Sequence, residues 1–522
     1  MTDYRRDMYK QLTEQTEKAE RLERENVILR KEVKELTSRI DRITANIEAK
    51  IEAAVAKATE PLHTAVVEKE CQIKKANDEI ERLKSVINKN SGNSSKPPRS
   101  DGFKKPVTNS REPSGKKPGG QPGRVGRYLQ KPENWEELES KGVAITEIVD
   151  HTNGHELYEI RCVLDIDIKA KWTEHRYPLG AKELREQAQP VVYGEKIKAL
   201  AIVLSQEEYV AQGRVCELIG FLTGGGIRYS QGCLNKTIQA FSGRLDGEIE
   251  KIRTDLLNGQ VMHTDETTAR TTQWAEYDQE DEAEKLERSV DNSVLAYIRT
   301  HSNAHSTLLT VNRRKNMDGV ERDGILGKYH GILSHDHESK FYNYGAEHAT
   351  CGTHLQRDLK GISDGYGCIW PMQMRGFLGE MNDYKKADIA REEDLPSGCG
   401  QEQYEEFSQR YVELLLLGNK ELTKTENIYA KDELRKMLDR LRDYKDAYLL
   451  FIKKYVAPFT NNLAERDLRP GKTKQAVSGC FRSWAGLLAY ARIRSFISTV
   501  RKRDLDVMQT VSNLLRGVSA LS

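Results

Sequence analysis

The sequence predicts a multidomain α/β protein, with a mid-chain α/β core interrupted by a helical insertion and preceded by long helices and a basic linker. Length is the first observation: at about 150 residues per domain, 522 residues hold three or four units and can bury a sizeable core. The second is a cluster of short runs with β character at 261–267, 293–300 and 306–311, followed by two more at 331–336 and 346–352. The third is helical periodicity on both sides of that cluster, over 193–241 and again over 361–455.

Charge and cysteine usage narrow the class. Lys plus Arg number 82 and Asp plus Glu 80, so local patches rather than net charge must identify partners. Met1 to Leu12 lacks the apolar core of a signal peptide, and no run of 18 apolar residues occurs, which predicts a soluble cytoplasmic chain with no membrane partner. The eight cysteines form no C-x-x-C pair, which argues against a zinc ribbon and a disulfide framework and fits a reducing compartment.

In residues 1–90 a heptad frame runs through Ala19, Asn26, Val33, Ile40, Ile47 and Ala54 at a, with Leu22, Leu29, Leu36 and Ile43 at d. β-branched a residues with leucine at d favour a parallel two-stranded coiled coil, and Asn26 would fix its register. Pro61 interrupts the frame, and a shifted one follows through Val66, Ile73, Ile80 and Ile87 with Leu83 at d. The expectation is a homodimer or higher oligomer; the alternative is an amphipathic helix packed on its own globular body. Residues 91–129 then carry seven glycines, six prolines and nine Lys/Arg against two acids. Such a segment cannot build a core and reads as an extended basic linker suited to phosphate backbones, with Lys116 and Lys117 as candidate DNA contacts, or as a solubilising spacer.

Residues 130–190 read as a small β-rich module, with β-like runs at 144–149, 156–163 and 165–172. His151, His155, Cys162 and His175 match no usual zinc spacing, so strand or solvated histidines are expected there. Over 191–258 helix, Gly224-Gly-Gly226 turn and helix are compatible with a helix-turn-helix or with a plain αα-hairpin, since Lys236 and Arg244 are its few phosphate candidates.

The core itself is expected over 259–360 and 456–522, around the helical insertion at 361–455. The first run ends in His263-Thr-Asp-Glu-Thr267, where an acid at a strand end is a candidate metal ligand but equally an ordinary cap. Residues 276–288 hold seven acids and two bases, an expected hairpin tip or solvated loop without chemistry. Gly331-Ile-Leu-Ser-His-Asp336 is another short strand ending in an acid. Past the insertion, Thr460 or Asn461 can cap a short helix that carries Glu465, Arg466 and Arg469. Between Arg466 and Arg503 stand ten Lys/Arg and one acid, which argues for a phosphate-bearing ligand beside a metal site.

Asp265, Asp336 and Glu465 thus arise from three strands in a meander, a strand with acid, a strand, a helix, an insertion and a helix with acid, the order of a ribonuclease-H-like core. Shared carboxylate oxygens suit two divalent ions for phosphodiester displacement, and hard oxygen donors point to Mg²⁺ or Mn²⁺, with no zinc expected. The ordered set Asn93-Ser-Ser-Lys-Pro-Pro98, Lys117-Pro-Gly-Gly-Gln-Pro-Gly123, Asp265-Glu-Thr267, Cys351-x-x-His354-x-x-Arg357, Asn461-Asn-Leu-Ala-Glu-Arg466 and Leu468-Arg-Pro470 resembles the transposases of the insertion sequence 66 family. The resemblance implies a DDE transposase, with Asp265, Asp336 and Glu465 as a metal-binding triad that hydrolyses strands at the element ends and joins the 3′-hydroxyls to target DNA. It selects Asp265 over Glu266, because strand alternation sends the two to opposite faces. Glu266, His354 and Asn462 are expected to support the site, and Arg466, Arg469, Lys472 and Lys474 to contact DNA phosphates. Two departures from the family pattern are Thr460 in place of an acid and a 134–190 region that keeps only Cys162, a metal-free relic of a zinc-binding module. Accessory proteins and nucleoid association are further expectations. The competing readings are a non-catalytic coiled-coil DNA-binding scaffold and a structure-selective nuclease on the same core.

Overall fold

The computed structural model describes Lys31 and residues 60–90, 93–94, 131–140, 142, 144–150, 164, 170–178, 191–272, 294–391 and 395–521. The chain divides into two compact units, Lys104–His175 and the remainder. The described part of the small unit holds helix α2 (Trp135–Ser140), preceded in the chain by α1 (Glu60–Asn88) of the large unit. Trp135 Nε1 donates to Thr146 Oγ1 at 2.9 Å, pinning the chain that follows α2. The expected strand at 144–149 joins no sheet among the described residues, and Ile145 and Ile148 are exposed, as is Trp172. His151, His155, Cys162 and the run at 156–163 lie outside the described residues.

In the large unit, helices α3 (Glu195–Ile202), α4 (Gln212–Leu222), α5 (Gln231–Gly243) and α6 (Asp246–Asn258) lead into strand β1 (Val261–Thr271). A π-turn, Val203–Glu207, extends α3. Strands β2 (Val294–Ser302) and β3 (Thr307–Asn312), short helix α7 (Met317–Arg322), β4 (Ile332–His335) and β5 (Glu347–Thr350) complete one sheet in the order β3-β2-β1-β4-β5. β1–β2 and β2–β3 are antiparallel; β1–β4 and β4–β5 are parallel. Helix α8 (Gly352–Tyr366) leaves β5, and α9 (Trp370–Ile389), α10 (Gln401–Lys424), α11 (Ile428–Asp443) and α12 (Lys445–Lys453) occupy the stretch expected as an insertion. The chain returns through α13 (Asn462–Ser478), α14 (Trp484–Lys502) and α15 (Val507–Leu515).

Among the described residues, four hydrophobic clusters hold these layers, one of them joining Ile332 and Ala349 of the sheet to Leu450 of α12. Met262, Leu308 and Leu333 of the sheet share one with Leu234, Ile238 and Phe241 of α5 and with Ile493, Phe496 and Ile497 of α14. The helices expected as a separate DNA-binding region therefore form one body with the sheet. On the other face Ala269, Ile298 and Leu309 pack with Leu468 of α13 and Leu487 and Tyr490 of α14. The insertion has its own core, around Leu359, Trp370, Phe377, Tyr411, Leu438 and Tyr448. The helix expected over 432–455 breaks at Tyr444 into α11 and α12.

Helix α1 departs from the expected coiled coil in the part described. It lies on α8 and α11, and its buried face runs through Ala76, Glu79, Leu83 and Ser85 while Ile87 is exposed. A Cβ at Gly361 or Gly365 of α8 would meet Asn93 O at 2.3 Å or Ser85 Oγ at 2.4 Å, so the two glycines open the seat for α1. Of the expected seam, Leu83 is buried within the chain, Ile73 and Ile80 are half-buried and Ile87 is exposed. The frame from Ala19 to Ala54 lies outside the described residues.

Candidate active site

β1 does not end at the acidic pair; it runs on to Thr271 and pairs with β2 throughout. Its parallel ladder with β4 is short: Val261 pairs with Ile332, Met262 with Leu333 and His263 with Ser334. Carried two residues further, the same offset sets Asp265 beside Asp336, where β4 has already ended. Adjacent parallel strands that part at their C-terminal ends leave a crevice, the usual place for a ligand in open α/β sheets.

Alternation decides which acid faces that crevice. His263 Nδ1 lies 3.1 Å from Asn461 Oδ1 at the start of α13, and Ala269 packs with Leu468 of α13, so Asp265 between them faces α13 too. Glu266 points to the opposite face. It is cross-strand from Arg299, which donates to it at 2.9 Å, and Lys340 reaches its other oxygen at 2.6 Å. Arg299 also pairs with Asp323. Glu266 is thus committed to a buried ion network and touches the site only through its backbone N–H, which donates to Asp265 Oδ1 at 2.7 Å.

Asn461 docks α13 onto the sheet. Fully buried, it does not cap the helix; its Nδ2 donates to Thr264 O at 2.8 Å and its Oδ1 faces His263 Nδ1 and Ser334 Oγ. Asn462, expected in this role, is exposed. Double Asn hid which one turns inward; the neighbouring buried Ala464 and Leu468, three and seven residues after Asn461, mark its face. α13 is also no short helix: it continues past Pro470 to Ser478.

One turn into α13, Glu465 faces the same crevice. His354 Nδ1 of α8 lies 3.1 Å from Asp336 Oδ1 and 3.9 Å from Glu465 Oε1. These three atoms are buried and no aligned hydrogen bond satisfies them. Burial pushes the Asp265 carboxyl up to about 8, and the charges of Asp336 and Glu465 push the same way against the Glu266 N–H. At His354 burial opposes the charged form, but its contacts with Asp336 and Cys351 outweigh that and raise the imidazole to about 11. Asp336 and Glu465 each leave a buried oxygen without a hydrogen bond beside His354, and the charges of both act on Asp265; hard oxygen donors of this kind suit a divalent cation, which Asp265, Asp336 and Glu465 could hold.

Glycine secures this corner. A Cβ at Gly352 would stand 2.4 Å from the Phe459 ring, and Gly352 N donates to Phe459 O at 2.8 Å, fixing the start of α8 and hence His354 against the segment that leads into α13.

A family model described as transposase IS66 family matches residues 190–489, more than half of the chain and all of the elements just described. The chain belongs to the IS66 transposase family. A second model, of a family of unknown function (DUF6444), matches residues 17–130. No curated protein and no solved structure matches.

In this IS66-family chain the expected DNA contacts divide. Arg466, Arg469 and Lys472 are exposed along α13, and Arg469 comes within 3.8 Å of Glu465. Lys474 is turned inward: its ammonium donates to Ser205 O at 2.6 Å, and burial pulls it down to about 8. It holds α13 to the π-turn rather than facing solvent. Arg492 and Arg494 pair with Asp246 and Glu207, and Lys502 with Asp467 at 2.7 Å. Much of the basic tail is therefore neutralised by acids distant in sequence. Lys116, Lys117 and the acidic stretch 276–288 lie outside the described residues.

Proposed function

We propose that the chain is a DDE-type transposase whose sheet and flanking helices are a ribonuclease-H-like core, with Asp265, Asp336 and Glu465 as the metal-binding triad. What supports this is the β1–β4 register, whose offset carried two residues further points Asp265 towards Asp336, together with Glu465 near His354 on a helix docked through Asn461. Mg²⁺ or Mn²⁺ held there would generate the attacking oxygen nucleophile and neutralise charge on the phosphodiester. The chain's own residues supply the rest. Asp265 is fixed within β1, Asp336 just past the end of β4 and Glu465 on α13, and His354 orients Asp336 from the adjacent helix. Arg466, Arg469 and Lys472 line the same helix and would bind the phosphates of the strand to be cut, positioning it over the acids. DNA of the element ends and the target would be the partners, bound by a homodimer or larger assembly in the cytoplasm, associated with the nucleoid when active and with accessory proteins as an option. Among the described residues no helix is long and apolar enough to cross a membrane.

The test is cleavage and joining of element-end DNA by the full chain in Mg²⁺. Asp265→Asn, Asp336→Asn and Glu465→Gln are each expected to lose at least about 10³-fold in rate, equivalent to several kcal/mol of transition-state stabilisation. Full activity in any one of them removes that residue from the triad. A parent chain that binds the ends without cutting in Mg²⁺ or Mn²⁺ would be a scaffold, and one that cuts without joining a nuclease.

A further inference from the structure

A second donor set overlaps the triad. Among the described residues, Asp336, Cys351 and His354 each bring one ligand atom within 4.8 Å of the other two. Cys351 follows β5 and precedes the first residue of α8, while His354 stands three residues on, so the first turn of the helix places thiol and imidazole side by side. Asp336 follows the neighbouring strand β4, and the backbone N–H of Cys351 is tied to His335 O at 3.0 Å, which fixes the thiol next to the acid. Cys351 is fully buried, with its Sγ accepting from Asn461 N–H at 3.3 Å. Glu465 Oε1, orphaned, lies 3.9 Å from His354 Nδ1 at the edge of this group.

Sulfur, nitrogen and carboxylate oxygen together are the donor chemistry of zinc, whereas magnesium takes oxygen almost alone. The absence of paired cysteines does not bear on such a set, because it uses one thiol from a C-x-x-H pair and an acid from another strand. We propose that Asp336, Cys351 and His354 form a binding site for a borderline-soft divalent ion of the zinc class. The inhibitory consequence rests on the function proposed above: an ion held there occupies Asp336 and draws it from Asp265, so zinc opposes Mg²⁺-dependent cleavage.

Cobalt(II) titration of the full chain tests the site independently of catalysis, because a thiolate ligand gives cobalt an intense near-ultraviolet charge-transfer band. The expected result is a saturable band in the parent protein, displaced by Zn²⁺ and absent in Cys351→Ser. His354→Gln, which keeps the thiol, should bind cobalt at least about tenfold more weakly. It decides the matter if Cys351→Ser fails to fold. No band in the parent, a band that survives in folded Cys351→Ser, or unchanged affinity in His354→Gln would overturn the site. In Mg²⁺-driven cleavage, added Zn²⁺ should inhibit and excess Mg²⁺ should restore the rate; cleavage undiminished by saturating Zn²⁺ would overturn the competition. A chain that cuts no DNA at all would refute the proposed function while leaving the cobalt readout intact.

Discussion

At the scale of single residues, the two members of the Asp265-Glu266 pair have opposite consequences for stability. Asp265 carries a cost: burial and the charges of Asp336 and Glu465 push its carboxyl up to about 8. A folded-state value above the unfolded one means that folding loses stability as pH rises from the unfolded value towards 8. Asp265→Asn removes that penalty, so thermal unfolding at pH 7.5 should show a gain of roughly 1–3 kcal/mol together with lost cleavage. Glu266→Gln should do the reverse, costing about 3–5 kcal/mol because Arg299 is left buried with half its partners. Buried histidines titrate with the other sign. Burial lowers His335 and His337 to about 4 and His301 well below its ordinary value. They stay neutral in the fold while the unfolded chain takes up protons from about pH 6.5 down, so stability present above that pH is lost as pH falls towards 4. Melting temperature should drop over this window, and His301→Leu should flatten the drop. An unchanged slope in that variant would exclude His301 as a contributor.

At the scale of elements, the site depends on how α8 and α13 meet the sheet. The strand runs were legible in the sequence because alternation and β-branched residues mark them, whereas the parallel pairing of β1 with β4 and its offset come from the fold. Less legible was everything decided by a face on another element. The extension of β1 to Thr271 comes from pairing with β2, and the choice of Asn461 over Asn462 from which of two identical side chains meets the sheet. Lys474 read as a phosphate contact because the Ser205 carbonyl that binds it is far away in sequence. Helix α1 shows a heptad seam, yet Gly361 and Gly365, the signal for its seat, lie on α8. Asn461→Ala strips the docking hydrogen bonds from α13; we expect about 1–3 kcal/mol less stability in denaturant titration, and a slower cleavage step at saturating DNA. Gly352→Ala should act likewise through the Phe459 clash, at about 1–3 kcal/mol.

At the scale of the whole molecule, a single body joins the sheet, the helices before it and those after it, while the insertion adds a separate core beside the crevice. That arrangement leaves the exposed side of α13 as the DNA-facing candidate. Neutralising Arg466, Arg469 and Lys472 together should reduce the salt slope of duplex binding by about 0.9 for each DNA phosphate that loses its cation, whereas Lys474→Ala should lower stability and leave the slope alone. The central claim is that three acids, far apart in the chain, share one divalent-ion site. Its most direct test is Mn²⁺ binding to the full-length protein, followed by the electron paramagnetic resonance of the free ion. Binding in the parent chain should be lost or weakened at least about tenfold in each of Asp265→Asn, Asp336→Asn and Glu465→Gln; unchanged affinity and stoichiometry in any one of the three would contradict the shared site.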